Sequence, residues 1–234
     1  MSGENRTVIV AGGTGALGAA VTRAFLATGA SVVVTYRRKS EFDELAKVAG
    51  PALSGAELDA TSETAAQQFA NDVAAQHGSI DALVITIGGY AGGKNVWETD
   101  AATFKQMLDL NLRAAWAMAR AVAPVMIRQN RGTMLNVASR AGYGRSAGAA
   151  LYAASKAGAL ALWDSLAEEM KPYNVNVNSI VPSIMDTPAN RRDMPKSDFS
   201  RWPKTEDIAK VIVFLCSEDA RVIHGAAIPV YGRT

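Results

Sequence analysis

A short apolar run, Thr7-Val8-Ile9-Val10-Ala11, is followed at once by Gly12-Gly13-Thr14-Gly15-Ala16-Leu17-Gly18 and then by a helix-like segment. Glycines allow the backbone to turn sharply, and they let phosphate oxygens approach main-chain N–H groups without a Cβ in the way. The N-terminus of the helix that follows adds partial positive charge at the same place. A glycine-rich stretch alone also fits a simple turn, but its position between a strand and a helix predicts a dinucleotide-binding loop.

The rest of the chain alternates between strand-like and helix-like segments. The strand candidates rich in Val and Ile are residues 7–11, 31–36, 80–87, 132–138 and 175–181, with a weaker candidate at 55–58 and a last one at 226–230. The helix candidates are residues 16–28, 41–49, 62–77, 100–129, 149–171 and 206–217. Such alternation implies right-handed crossovers and a parallel sheet covered on both faces. We predict an α/β fold: a Rossmann-type doubly wound parallel sheet of about seven strands in a three-layer αβα arrangement, with residues 1–234 forming a single NAD(P)-binding domain.

The composition argues against several classes of protein. The 24 basic and 22 acidic residues are mixed along the chain, so the basic stripe expected of a nucleic-acid-binding protein is missing. No apolar run approaches the ~20 residues that span a bilayer, so we expect no membrane association. The single cysteine, Cys216, forbids an internal disulfide, and without a signal peptide a cytoplasmic location is expected. His77 and His224 match no metal-ligand spacing, so no metal site is predicted.

One long segment, residues 183–204, shows no clear periodicity and contains Pro188, Pro195 and Pro203. Loops of this length in a compact domain are usually functional. Ligands of open parallel sheets bind outside the carboxyl ends of the strands, and this segment follows one such end. We interpret residues 183–204 as a substrate lid.

The second strand candidate ends in Thr35-Tyr36-Arg37-Arg38, with no carboxylate at its tip. An acidic residue there hydrogen-bonds the ribose hydroxyls of NAD and repels a 2′-phosphate, whereas a guanidinium holds that phosphate through a charge-assisted pair. We therefore predict that NADP(H) is the preferred cofactor and that NAD(H) is the other possibility. Arg37 is the first choice for the phosphate contact and Arg38 the second, although the reverse assignment remains open.

Polar residues follow or lie near the ends of several predicted strands. Ser139 comes directly after the fifth strand candidate, and Asn111 lies within an apolar helix. Tyr152 and Lys156 are four residues apart on the next helix, so their side chains share one face. Taken singly, each has an ordinary explanation, such as a turn serine or a half-buried packing tyrosine. Their order and spacing are more informative than any one of them.

Together with the glycine-rich turn, this arrangement resembles the short-chain dehydrogenase/reductase family in its compact, single-domain form. The likeness covers nearly the whole chain, including Asp59 after the third strand and the stretch Val181-Pro-Ser-Ile-Met-Asp-Thr187. The resemblance implies hydride transfer between NADP(H) and a small-molecule ketone, aldehyde or secondary alcohol. It also implies a homotetramer or a homodimer.

The resemblance assigns catalytic roles to Ser139, Tyr152, Lys156 and Asn111. Ser139 would polarise the carbonyl oxygen and Tyr152 would protonate it. Lys156 would favour the phenolate, because the reference pKa of ~10 is high for an acid–base catalyst at neutral pH. Asn111 would anchor a water chain that resupplies the proton. The residues assigned to the cofactor are Gly12, Thr14, Gly15, Ala16, Leu17, Gly18, Tyr36, Arg37, Arg38, Asp59, Ala60, Gly88, Gly89, Tyr152, Lys156, Pro182, Ile184 and Thr187.

The sequence departs from the family pattern at two places. Ala16 stands where many compact members have a second glycine. Thr86-Ile87 stands in a motif that commonly contains asparagines, which help to brace the central sheet. We therefore expect that bracing to come from other groups.

Two further hypotheses belong to other branches or classes. Residues 12–18 and 186–195 are similar to dihydropteridine reductases, which would make the protein an NAD(P)H-dependent reductase of quinonoid dihydropterins. Arg37 and Ser139 argue against that hypothesis. Some relatives bind the dinucleotide as non-catalytic sensors, but they typically lack the Tyr or the Lys, and this chain has both.

Overall fold

A seven-stranded parallel sheet runs through the computed structural model, which describes residues 6–144 and 147–234. The strands are β1 (Thr7–Ala11), β2 (Ser31–Tyr36), β3 (Leu53–Glu57), β4 (Ala82–Ile85), β5 (Gly132–Val137), β6 (Val175–Pro182) and β7 (Ala227–Val230). Their order is β3-β2-β1-β4-β5-β6-β7, and every neighbouring pair is parallel. This order confirms the predicted doubly wound Rossmann-type fold.

Helices cover both faces of the sheet. They are α1 (Ala16–Leu26), α2 (Lys39–Ala49), α3 (Glu63–His77), α4 (Ala101–Leu108), α5 (Ala114–Gln129), α6 (Ala150–Met170), α7 (Pro188–Asp193) and α8 (Thr205–Leu215). Helices α3, α5 and α6 pack on one face, and α1, α2 and α8 pack on the other. Within the described part of the chain, no helix has both the length and the apolar character needed to cross a membrane.

The central strands contribute to two cores at once, because successive side chains of a strand point to opposite faces. In β1, Ile9 and Ala11 belong to the core beneath α3, α5 and α6, whereas Val8 and Val10 belong to the core beneath α1 and α8. All of β1 is buried, as expected for a strand covered on both faces. This explains why the strand reads as a continuous apolar run.

The winding of the sheet reverses between β1 and β4, and their carboxyl ends therefore border an open crevice. The glycine-rich loop leaves β1 at this edge. Ser139 and the segment after Pro182 follow the carboxyl ends of β5 and β6 at the same edge. The fold thus gathers residues that are far apart in the sequence.

Three predicted segments need correction. The strand expected at 80–87 ends at Ile85, because Thr86 turns its hydroxyl onto the backbone of β1. The single helix expected at 100–129 is divided into α4 and α5 by a π-helical turn at Asp109–Arg113. Residues 183–204 contain regular structure, because the Thr187 hydroxyl caps α7 and Pro188 starts it.

Candidate dinucleotide site and active site

The glycine-rich loop closes tightly between β1 and α1. Gly12 has a φ of 82°, in the left-handed region that favours glycine, and its N–H donates to Thr35 Oγ1 at 2.9 Å. A Cβ on Gly18 would lie 2.1 Å from the Gly12 carbonyl oxygen, so only glycine lets α1 pack this closely against the loop. A Cβ on Gly15 would approach that oxygen no closer than 3.5 Å. Gly15 is exposed and leaves room beside the loop for a ligand.

The first turn of α1 has backbone N–H groups that no side chain caps. Its residues are Ala16, Leu17 and Gly18, with Gly15 as the N-cap, so the side chains supply neither a cap nor a negative charge. Gly15 and Ala16 are exposed, whereas the Leu17 side chain is buried in the core and could meet a ligand only through its backbone. Free N–H groups at a helix N-terminus fit a pyrophosphate.

A cavity of ≈ 600 Å³ lies at the tips of β2 and β3, lined by Arg37, Glu57, Leu58 and Asp59. Hydrogen bonds from Thr61, and the charge of Arg37, hold the pKa of the Asp59 carboxyl below its usual value. The carboxylate is therefore ionised and can accept hydrogen bonds at neutral pH. Ala60, assigned to the same region, is buried beneath α3. This corner has the room and the polarity to fit the adenosine part of a dinucleotide.

The two neighbours of Arg37 are engaged elsewhere. The Tyr36 ring stacks on Phe42 of α2, with 4.7 Å between the ring centroids. Arg38 forms an ion pair with Glu41 one turn into α2. Arg37 itself lines the cavity beside Asp59. This placement favours Arg37 over Arg38 for a 2′-phosphate.

Thr86 supplies the bracing that the family's asparagines would give. Its hydroxyl donates to the carbonyl oxygens of Ala11 and Gly12, at 2.8 Å and 3.1 Å. The Thr86 N–H also donates to Ala11 O at 2.9 Å. These bonds tie the end of β4 to the end of β1 and to the start of the glycine-rich loop.

Asn111 ties the loop that follows β4 to the helices. Its side chain exchanges two hydrogen bonds with the Gly89 backbone, each 3.0 Å long, and donates to Ser155 Oγ at 3.1 Å. Ser155 in turn donates to the Tyr152 carbonyl oxygen at 2.8 Å. Asn111 lies in the π-helical turn and is buried. The turn thus interrupts a long helix where one polar side chain is directed inward, as π-turns at functional sites often do.

Lys156 is buried beside the loop that follows β4. Its ammonium donates to Val137 O, at the end of β5, at 2.8 Å. A Cβ on Gly88 would lie 3.2 Å from Lys156 Nζ and 3.0 Å from Asn111 Oδ1, so both side chains contact the same glycine. Burial lowers the pKa of Lys156 to about 8. The group still carries a positive charge at neutral pH.

Tyr152 lies on α6 one turn before this lysine, and its phenol is close to Ser139. Burial raises the pKa of the Tyr152 phenol, and a hydrogen bond with Ser139 opposes that shift. The Ser139 oxygen accepts from Ala141 N–H at 3.2 Å, which fixes the serine at the start of a 3₁₀ turn. With a lone pair engaged by that amide, the hydroxyl proton is free to point to Tyr152 or to a ligand oxygen.

Tyr90 is a neighbour of the site that sequence reasoning leaves out of the catalytic candidates. Its ring meets the Tyr152 ring edge-on, with centroids 5.0 Å apart, and its side chain is largely exposed. A hydrogen bond of 2.8 Å from Gly93 N to Gly148 O joins this loop to the segment before α6. The glycine pair Gly92-Gly93 is the only sequence signal for this close approach.

The segment after β6 lies at the same edge of the sheet. Pro182 ends the strand, Ile184 is partly exposed, and Thr187 is buried while its oxygen accepts from Asn190 N–H at 3.2 Å. Arg191 holds Asp186 through two contacts of 2.6 Å and 2.8 Å. The segment is therefore fixed by its own contacts next to the crevice.

The surroundings of Cys216 and His224 indicate structural roles for both residues. Cys216 is buried, and burial raises the pKa of its thiol to about 12. The two ring nitrogens of His224 contact Val177 N and Ala167 O, at 3.3 Å and 2.9 Å. Among residues 6–144 and 147–234, no three His, Cys, Asp or Glu side chains are grouped as metal ligands would be.

A doubly wound parallel sheet with a glycine-rich loop at the N-terminus of α1 defines a Rossmann-fold dinucleotide-binding protein. A family model described as enoyl-(acyl carrier protein) reductase matches residues 12–232. The 7alpha-hydroxysteroid dehydrogenase of Bacteroides fragilis is 31% identical, over 98% of this chain and 94% of its own. The chain belongs to the short-chain dehydrogenase/reductase family of oxidoreductases, as the motifs predict.

Solved structures agree on the fold. ElxO with NADP bound superposes with a TM-score of 0.90 at 23% identity, over 97% of this chain and 97% of that one. NAD+-bound xylitol dehydrogenase superposes with a TM-score of 0.92 at 23% identity, over 99% of this chain and 100% of that one. Membership of the family therefore implies a nicotinamide dinucleotide, without choosing between NADP and NAD.

Proposed function

We propose that the protein is an NADP(H)-dependent oxidoreductase that moves a hydride between the nicotinamide and a ketone or aldehyde, or a secondary alcohol in reverse. Tyr152 is its general acid–base. One observation supports this most strongly: the buried Lys156 ammonium bonds the end of β5, and Tyr152, one turn before it on α6, lies near Ser139, which follows the same strand. A cation, a phenol and a hydroxyl donor are the groups that reduction of a carbonyl requires.

Ser139 acts as the donor that polarises the carbonyl oxygen. The Ala141 amide fixes its oxygen, so the donor is in place before a substrate arrives and its proton is left for the substrate oxygen. A donor held in place costs little reorganisation when negative charge develops on the substrate oxygen. Tyr152, within hydrogen-bond reach of Ser139, meets the same oxygen.

The protonation states of Tyr152 and Lys156 suit reduction at neutral pH. Because burial raises its pKa, the phenol is protonated and can give a proton to an alkoxide. Lys156, with its pKa lowered by burial to about 8, is charged at pH 7. That charge stabilises the phenolate that remains after the proton has moved.

The nicotinamide dinucleotide, when bound, supplies or accepts the hydride. The glycine-rich loop and the N-terminus of α1 hold its pyrophosphate, and Arg37 and Asp59 hold the adenosine side. Gly88, Gly89, Pro182, Ile184 and Thr187 follow or end the central strands at one edge of the sheet, where the Lys156 ammonium also lies, and these residues would hold the nicotinamide side.

The preference for NADP(H) rests on Arg37. Its side chain lines the cavity at the tip of β2, where the fold places the 2′-hydroxyl or the 2′-phosphate of the adenosine ribose. A guanidinium at that point favours the phosphate.

Residues 183–204 serve as the substrate lid of a single domain. Arg191 and Asp186 fix the first part of this segment, and Trp202 is buried against Phe199, with 4.9 Å between the ring centroids. The Ser183 hydroxyl donates to Tyr231 O and Arg201 donates to Arg233 O, so both ends of the lid are anchored to the C-terminal segment. The substrate is a small carbonyl compound or alcohol that reaches Tyr152 between this lid and Tyr90.

An assay of cofactor oxidation tests the proposal. NADPH and NADH are each offered with a broad panel of ketones and aldehydes, and with a quinonoid dihydropterin. We expect reduction of at least one ketone or aldehyde, faster with NADPH. Turnover confined to the dihydropterin would support the hypothesis drawn from residues 12–18 and 186–195. Binding of NADPH without turnover of any compound would support a non-catalytic sensor.

A further inference from the structure

Three basic residues, Arg37-Arg38-Lys39, form a basic run at the end of β2. Carboxylates in the first turns of α2 neutralise most of its charge. Arg38 pairs with Glu41, and Lys39 pairs with Asp43 at 2.6 Å. Among the described residues, Arg37 makes no such pair, so it is the one cation of the run whose charge is not offset by a contacting carboxylate. The sequence shows three basic residues in a row, but the folded chain presents one.

Glu41 does more than pair along its own helix. Its second carboxylate oxygen accepts a hydrogen bond of 3.1 Å from the hydroxyl of Thr14, which belongs to the glycine-rich loop. The two residues are far apart in the sequence, so this contact joins α2 to the loop. Glu41 is partly buried, with 35% of its side chain exposed, whereas Arg38 is 74% exposed.

The position of this carboxylate matters because anions bind on both sides of it. The glycine-rich loop and the N-terminus of α1 fit a pyrophosphate. The tip of β2 is the place where the fold distinguishes a ribose hydroxyl from a 2′-phosphate. A negative charge that bridges Thr14 and Arg38 repels a 2′-phosphate and occupies a guanidinium and a hydroxyl that could otherwise contact it. It leaves the uncharged 2′-hydroxyl of NAD(H) much less affected.

We infer that Glu41 is a selectivity residue, which weakens binding of the 2′-phosphate chiefly by holding the Arg38 guanidinium. The chain thereby keeps NAD(H) usable in spite of its basic run. This inference rests on the proposed function, since it concerns how the same site chooses its dinucleotide. The sequence alone hides it, because Glu41 lies five residues beyond the strand tip where an acidic residue is normally sought.

Equilibrium binding tests the inference without any turnover. The dissociation constants of NADPH and NADH are measured by calorimetry for the wild type and for Glu41→Gln. We expect Glu41→Gln to bind NADPH about three- to tenfold more tightly at low salt, and NADH within about twofold of the wild type. Glu44→Gln is the matched control, because Glu44 lies on the same helix and pairs with Lys47 at the exposed surface. It should change neither constant.

A second experiment, in a chain that carries Arg38→Ala, tests whether Glu41 acts through Arg38. If Glu41 acts by holding Arg38, Glu41→Gln in an Arg38→Ala chain should improve NADPH binding by less than about twofold. An undiminished gain in that background would overturn the inference, as would an unchanged ratio of the two constants in the single variant. Failure of the wild type to bind either dinucleotide would instead contradict the proposed function itself. Thermal unfolding of each variant shows that it is folded.

Discussion

Lys156 is a buried charged residue. Its surroundings explain its lowered pKa and indicate a functional role. The ammonium has Val137 O as an acceptor at 2.8 Å, and burial lowers its pKa from 10.5 to about 8. A lowered pKa means that the folded chain binds this proton less tightly than the unfolded chain does. The charge therefore costs stability at neutral pH, and a residue kept at such a cost is a candidate for function.

The pH dependence of stability follows from that shift. Below pH 8 the lysine is charged in both states and the full penalty is present. Between about pH 8 and pH 10.5 the unfolded chain holds the proton and the folded chain has lost it, so stability rises with pH. We predict that wild-type stability relative to Lys156→Met increases by about 3 kcal/mol from pH 7 to pH 10.5. Urea unfolding of both proteins across this range measures the difference, and a constant difference would contradict the assigned pKa.

Arg37 is the residue on which the cofactor preference depends. Replacing it with Asp removes the guanidinium from the cavity beside Asp59 and adds a charge that repels a 2′-phosphate. We predict that Arg37→Asp raises the KM for NADPH by about a hundredfold and changes the KM for NADH by less than about fivefold. Steady-state kinetics with both cofactors measure this. Unchanged preference would remove Arg37 from the site.

At the scale of elements, β1 and β2 could be predicted to the residue, whereas the equally buried β4 is shorter than the predicted 80–87. β1 and β2 begin and end where their Val- and Ile-rich runs do, because burial on both faces leaves a continuous apolar signal. The π-helical turn around Asn111 could not be predicted. Its cause is a set of hydrogen bonds to Gly89 and Ser155, which lie far away in the sequence.

The candidate site likewise has features that could be predicted from the sequence and features that could not. Tyr152 and Lys156 could be placed together because four residues separate them on one helix. The contact between Glu41 and Thr14 could not, because it depends on how α2 lies against the glycine-rich loop. The bracing role of Thr86 likewise needs the register between β1 and β4, which no local pattern reveals.

Two glycines of the loop between β1 and α1, Gly18 and Gly15, can be compared in a matched pair of alanine variants. In Gly18→Ala, the new Cβ would lie 2.1 Å from Gly12 O, so α1 or the loop must shift. We predict a loss of about 3 kcal/mol of unfolding free energy, together with loss of NADPH binding. In Gly15→Ala, the Cβ would meet Gly12 O only at an ordinary contact distance of 3.5 Å, so stability should stay within about 0.5 kcal/mol while NADPH binding weakens. Thermal unfolding and calorimetry separate the two effects, and equal destabilisation by both changes would contradict the described loop.

At the scale of the whole molecule, several large apolar side chains remain on the surface. Phe104 on α4 and Trp116 on α5 are 51% and 36% exposed, and Phe214 on α8 is 45% exposed. β7 ends the sheet, so one side of this strand has no partner strand within the described chain. Exposed apolar surface and an open sheet edge are features that subunit contacts cover.

We predict that the protein is a homotetramer or a homodimer in solution. Light scattering during size-exclusion chromatography should give two or four times the chain mass of 24.6 kDa. Charged substitutions of Phe104 and Trp116 together should lower that mass, because they place like charges in a contact between copies. A wild-type mass equal to that of one chain would contradict the prediction.

The most direct test of the account is the variant Tyr152→Phe, which removes the phenol oxygen and keeps the ring that packs against Tyr90. Reduction of the best ketone or aldehyde is measured by stopped-flow oxidation of NADPH, and NADPH binding is measured by calorimetry on the same sample. We predict that the reduction rate falls by about a hundredfold or more while the dissociation constant of NADPH stays within about threefold. A variant that binds NADPH and reduces the substrate at the wild-type rate would contradict the role of Tyr152 as the acid–base group.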